Sequence, residues 1–148
     1  MSYPIAQRRI EGKAEVKVKL ATRQFGELEF DESIVYHFPE GLPGFEQLHK
    51  FIIISDKDTE PLKWLLSIEE PDIGFPILAV SFIMPVIHKE IPAEDLAAST
   101  IFGVVTLNRD PKPATINLRA PIIVNNASKS GKQLVLNSDK YSTEHKIK

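Results

Sequence analysis

The chain contains no cysteine among its 148 residues, and only one tryptophan and two methionines. Without thiols it forms neither disulfides nor thiolate metal sites, and a reducing compartment is the expected setting. No apolar run approaches the roughly 20 residues that a membrane-spanning helix needs. The first 20 residues lack the apolar block of a signal peptide. A cytoplasmic protein with no membrane partner is therefore expected. Catalytic signatures are missing as well: the sequence carries no GxSxG, no phosphate-binding GxxxxGK and no GxGxxG. His37, His49, His88 and His145 are scattered, with no two at the spacing that puts a pair of ligands on one face of a helix or strand. Adjacent acids such as Glu69 with Glu70 and Glu94 with Asp95 sit at turn signals, where they lack the burial that would separate their pKa values. Neither an enzyme, a metal site nor a cofactor is expected.

What the chain does have is short runs of strand-forming residues. Val16, Val18 and Leu20 alternate with Lys17 and Lys19, and Glu27-Leu28-Glu29-Phe30 alternates again, the period of half-buried strands. Ile34 to Phe38 is a third run. Phe51-Ile52-Ile53-Ile54 predicts a strand buried on both faces, and Leu62 to Ile68 the next, with Trp64 expected in the core rather than as a binding platform. Gly74 to Met84 predicts one longer strand, with Pro76 at its start, at a bulge or on an edge. Further strands are expected at 101–107, 114–118, 121–124 and 133–136. One short helix is expected to begin at Pro92, with Glu94 and Asp95 favouring its positive end. Many short strands and one short helix predict a mainly β domain over residues 14–148, a small antiparallel barrel or sandwich. Residues 1–13 show no periodicity and are expected to be a poorly ordered extension.

The most conformationally specified stretch is Phe38-Pro39-Glu40-Gly41-Leu42-Pro43-Gly44-Phe45-Glu46, with two prolines, two glycines and two aromatic rings in nine positions. Proline fixes φ and glycine tolerates positive φ, so this reads as a compact double turn anchored by its two phenylalanines. Gly41-Leu42-Pro43-Gly44 shares the bare form of an RNA-clamping GXXG loop. It lies between strands rather than helices, however, and has proline in its third position.

The net charge of −2 hides an uneven distribution. Residues 1–25 carry +4, residues 26–100 carry −11 and residues 101–148 carry +5. The acidic middle is either a solvated rim or a surface that steers in a basic partner. The same field disfavours direct binding of nucleic acid.

Thr22-Arg23-Gln24-Phe25-Gly26-Glu27, the double turn from Phe38 to Glu46, and Trp64-Leu65-Leu66-Ser67 with Pro71-Asp72 are followed by Asn117 to Asn125 and by Gly131-Lys132-Gln133 leading to Tyr141-Ser142-Thr143. In order and spacing these motifs resemble the bacterial flagellar assembly factor FliW family. The resemblance implies a non-enzymatic protein that binds the RNA-binding translational regulator CsrA and antagonises its repression of flagellin mRNA. It also implies binding of flagellin in a partner switch. An alternative is a chaperone that covers an apolar terminal segment of flagellin. The residues expected to meet partners are the acids Glu69, Glu70, Asp72 and Glu46 and the apolar anchors Phe45 and Phe82.

Overall fold

Four consecutive large apolar residues can all be buried only when both faces of their strand are covered, and Phe51 to Ile54 are all buried. The computed structural model describes residues 16–147, so the expected extension at 1–13 lies outside the described residues. The strands are β1 (Lys17–Thr22), β2 (Gly26–Asp31), β3 (Tyr36–His37), β4 (Lys50–Ser55), β5 (Lys63–Ser67) and β6 (Gly74–Ala79). They continue as β7 (Ser99–Thr106), β8 (Thr115–Ile116), β9 (Ile122–Asn125), β10 (Ser130–Gln133) and β11 (His145–Lys146). Seven of them close a barrel in the order β3, β4, β5, β6, β7, β9, β10 and back to β3. The two alternatives of barrel and sandwich are thus resolved in favour of the barrel. Its pairings are antiparallel except at the seam, where β10 runs parallel to β3 through the single register pair Ser130 and His37.

Alternation along the strands divides the apolar residues into an inner and an outer set. Tyr36, Phe38, Phe51, Ile53, Leu65, Ile77, Phe102, Ile122 and Val124 cluster inside. On the outer face of β4 and β5, Ile52, Ile54 and Leu66 pack against Phe25, Leu28 and Phe30 of the β1–β2 hairpin. Trp64 joins this outer cluster edge-on to Phe25, with ring centroids 6.0 Å apart. A third cluster covers the outer face of β6, β7 and β9, joining Leu78, Ile101 and Ile123 to Val80, Ile87, Ile91, Leu118 and Tyr141.

Several boundaries differ from those expected. The run from Gly74 to Met84 is not one strand, because β6 ends at Ala79 and 3-10 turns follow at Val80–Phe82 and Pro85–Glu90. Burial of Val80, Ile87 and Ile91 in the third cluster requires the chain to fold back across the outer face of the barrel. Pro76 fits its strand because β6 pairs with β7 only from Ile77 onward, so no ladder partner is missing its donor. The expected strand at 133–136 shifts to Ser130–Gln133, although Leu134 N and Leu136 N still donate to Pro121 O and Arg119 O, each within 2.9 Å. The helix expected at Pro92 is the single turn α1 (Ala93–Leu96).

The seam is closed by packing as well as by hydrogen bonds. Phe38 is fully buried and meets Phe51 edge-on at 5.1 Å between centroids. A Cβ on Gly131 would clash with the Cζ and Cε atoms of Phe38, so glycine at this position of β10 makes room for the ring. Phe38→Ala is expected to destabilise the protein by about 3–5 kcal/mol. Gly131→Ala is expected to cost about 1–3 kcal/mol by overpacking. In chemical denaturation the double variant should be more stable than the sum of the two effects implies, because the smaller side chain at 38 admits the new methyl group.

Candidate partner-binding surfaces

The double turn is built on two glycines with different constraints. Phe45 N donates to Leu42 O at 2.7 Å around Pro43 and Gly44, and Gly44 has φ 85°, the signature of a type II turn. Gly41 has φ 65°, and a Cβ there would lie 2.7 Å from Glu46 Cα and Phe45 O. The turn is buttressed by side chains. Glu46 Oε2 accepts from Gly44 N at 3.0 Å, and the His49 ring donates to Glu46 O at 2.7 Å. The Gly44 amide, followed by the amide of Glu46 itself, holds the Glu46 carboxyl below the usual glutamate range against the cost of desolvation. Phe45 is half-buried and packs edge-on against Phe75 at 5.3 Å, on the margin of the barrel core.

The acidic turn between β5 and β6 meets the end of this loop. Glu69 Oε1 accepts from His49 N at 2.6 Å and from Lys50 N at 2.9 Å, tying the β5–β6 turn to the start of β4. Desolvation is the largest single influence on the Glu69 carboxyl and opposes its ionisation. The two amide donors, helped by the charges of His49 and Lys50, together outweigh it and hold the carboxyl below its usual value. Glu70 is exposed, and among the described residues its carboxylate makes no hydrogen bond or ion pair. Asp72 is exposed and lies 3.6 Å from Arg23 Nε, a surface pair of little energetic weight. The structure therefore brings Phe45, Glu46, Glu69, Glu70 and Asp72 to one end of the barrel, and two of these carboxylates stabilise loops as well as carrying charge.

Phe82 is not part of that end. It is 64% exposed in the 3-10 turn that follows β6, whereas the acidic turn precedes β6. The strand between them puts roughly 17 Å between the two sites. Val86 is 49% exposed on the next 3-10 turn. Among the described residues no group of three or more His, Asp or Glu could hold a metal ion, and no helix is long and apolar enough to cross a membrane.

Gly41→Ala is expected to destabilise by more than Gly44→Ala, since it adds a backbone clash to the left-handed strain of about 1–2 kcal/mol that both share. Urea melts of the two variants provide the comparison. Glu69→Gln should lower stability at neutral pH. A depressed carboxyl pKa stabilises the fold above the unfolded value near 4.5 and loses that effect as pH falls through the folded value, so the difference from wild type should vanish in acid. Melting temperatures between pH 3 and 7 test this.

Residues 19–147 match the family model described as FliW protein. The flagellar assembly factor FliW of Caldanaerobacter subterraneus subsp. tengcongensis is 38% identical over 139 residues, covering 88% of this chain and 93% of that protein. The protein of the same name from Thermosipho africanus is 36% identical over 139 residues, covering 88% and 95%. A crystal structure of the flagellar assembly factor FliW superposes with a TM-score of 0.78 at 26% identity, covering 87% of this chain and 96% of that one. With its motifs, its barrel and its relatives in agreement over nearly the whole described chain, the protein belongs to the FliW family of flagellar assembly factors.

Proposed function

We propose that this protein acts in the cytoplasm as a non-enzymatic partner switch. In this reading it binds a CsrA-type RNA-binding regulator through the acidic end of the barrel, and binds flagellin through an apolar surface that includes Phe82. The observation that carries the proposal is the acidic end itself. Glu69 is anchored on the His49 and Lys50 amides, which fixes the turn that displays Glu70 and Asp72 to solvent. An ordered array of carboxylates attracts a basic protein and repels RNA phosphates that approach the same neighbourhood. A regulator docked there would lose affinity for its messenger without its RNA-binding face being covered. Binding of flagellin would lower the fraction of protein free to take the regulator, and export of flagellin would release it.

The exposure of Phe82 and of Val86 favours a second reading, in which the protein is chiefly a flagellin chaperone that shields an apolar terminal segment. The two readings separate by salt dependence. Regulator binding is expected to weaken steadily with ionic strength, and Glu70→Lys with Asp72→Lys should reduce it about tenfold, equivalent to ~1.4 kcal/mol. Flagellin binding is expected to be nearly insensitive to salt and to fall on Phe82→Ser. Calorimetric titrations across a salt series measure both. A flat response for the regulator, or RNA antagonism unchanged in the double lysine variant, would sink the electrostatic account.

A further inference from the structure

Between the first turn of the Phe38–Glu46 loop and α1 lies an open groove of about 490 Å³. Its floor is the outward face of β9 and β10, where Ser130 stands opposite Asn125 and Lys132 opposite Ile123, with Ser99 of β7 beside them. Pro39 and Glu40 form one wall, and Glu94 and Asp95 form the other. Ser99 and Ser130 each follow a residue with positive φ, Ala98 at 56° and Lys129 at 54°, which sets the sharp bends at the groove's margin. None of Phe45, Glu46, Glu69, Glu70, Asp72 and Phe82 contributes to this lining.

Three acids and one base line the groove, so two negative charges are left over. Lys132 Nζ lies 2.8 Å from Asp95 Oδ1, whose side chain is 17% exposed, so this pair is internally compensated. Glu40 and Glu94 are exposed, and among the described residues neither carboxylate has an ion pair or a hydrogen bond. Ser99 Oγ donates to Ala97 O at 3.2 Å, which leaves its lone pairs as acceptors. The groove therefore offers acceptors from both walls and the floor. That set suits a planar guanidinium with five donors better than a compact ammonium. The groove is of a size that takes a side chain with its flanking backbone. Because it is open, a small free cation would stay largely hydrated within it. A side chain delivered by an already docked protein loses less entropy on entering.

We propose that this groove receives a basic side chain, arginine in preference to lysine, displayed by a partner protein. The inference concerns a surface separate from the acidic end and stands whether or not that end binds the regulator. The test is a nuclear magnetic resonance titration of the full-length isotope-labelled protein with an end-blocked Gly-Arg-Gly peptide, with Gly-Gln-Gly and spermidine as comparators. The arginine peptide should give saturable shifts at the Ser99, Ser130, Gly131 and Lys132 amides, and the glutamine peptide none. Glu40→Gln and Glu94→Gln should each weaken binding about threefold, and Lys132→Gln, which frees Asp95, should strengthen it about threefold, as expected for single exposed charges. These substitutions are at exposed positions, and the spectra themselves report whether the fold is kept. Shifts that do not localise to the groove, or that persist unchanged in the Glu40→Gln and Glu94→Gln variants, overturn the proposal. Spermidine binding as tightly as the arginine peptide would also overturn it, by assigning the groove to a free polycation.

Discussion

The Phe38 ring inside the barrel is the contact on which most of this structure depends. The seam between β3 and β10 has one register pair, supplemented by His37 N donating to Lys129 O at 2.8 Å. So short a ladder cannot close a barrel by itself, and apolar packing across the seam supplies the rest. Phe38 reaches from the end of β3 to lie beneath Gly131 of β10 and against Phe51 of β4. The double turn begins at this residue, so its position relative to the barrel follows from how that ring is seated. Its shape is then set locally by Pro43, Gly41 and Gly44. Barrel scaffold and loop-bearing end are thus joined at one side chain.

Covering the outer faces of the barrel determines which surfaces stay open. The β1–β2 hairpin occupies the outside of β4 and β5, and the 80–91 segment with the C-terminal residues occupies the outside of β6, β7 and β9. What stays open is the loop-bearing acidic end, the exposed Phe82 and Val86, and the groove beside α1. At the acidic end, loop order and surface charge come from the same residues. Glu46 and Glu69 hold backbone amides, whereas the Glu70 carboxylate has no hydrogen bond or ion pair among the described residues. A charge whose position is fixed by its neighbours loses little entropy on binding.

Strands were most legible where both faces are buried or where alternation is strict. Phe51 to Ile54 and the alternation at Leu28 and Phe30 place β4 and β2 within one residue of their observed bounds. The reading failed at Val80 to Met84, where an apolar run is equally compatible with a strand and with 3-10 turns packed on a barrel. It missed β11, because two residues, His145 and Lys146, carry no period at all. Among the surface residues, the exposure of Glu69, Glu70, Asp72 and Glu94 followed from their turn signals, whereas Asp56 and Asp95 are half-buried, Asp95 in its pair with Lys132. The half-burial of Phe45 and the exposure of Phe82 did not, since a phenylalanine beside a turn has the same local context whether its ring faces in or out.

By itself the sequence determined that the chain is a β protein without thiol chemistry, that Phe38 to Glu46 is a double turn, and that the middle of the chain is acidic. These are local properties: φ restrictions, alternation and charge count depend on residues close in the chain. Tertiary structure alone decided that the sheet closes through a parallel seam and that Gly131 exists to admit a ring more than 90 residues away in the chain. It also decided that Glu69 serves His49 and Lys50, and that Glu40 and Glu94 face a common groove. Each of these joins residues far apart in the chain. Such pairings are settled by closing the barrel and filling its interior, a constraint that no short window of sequence contains.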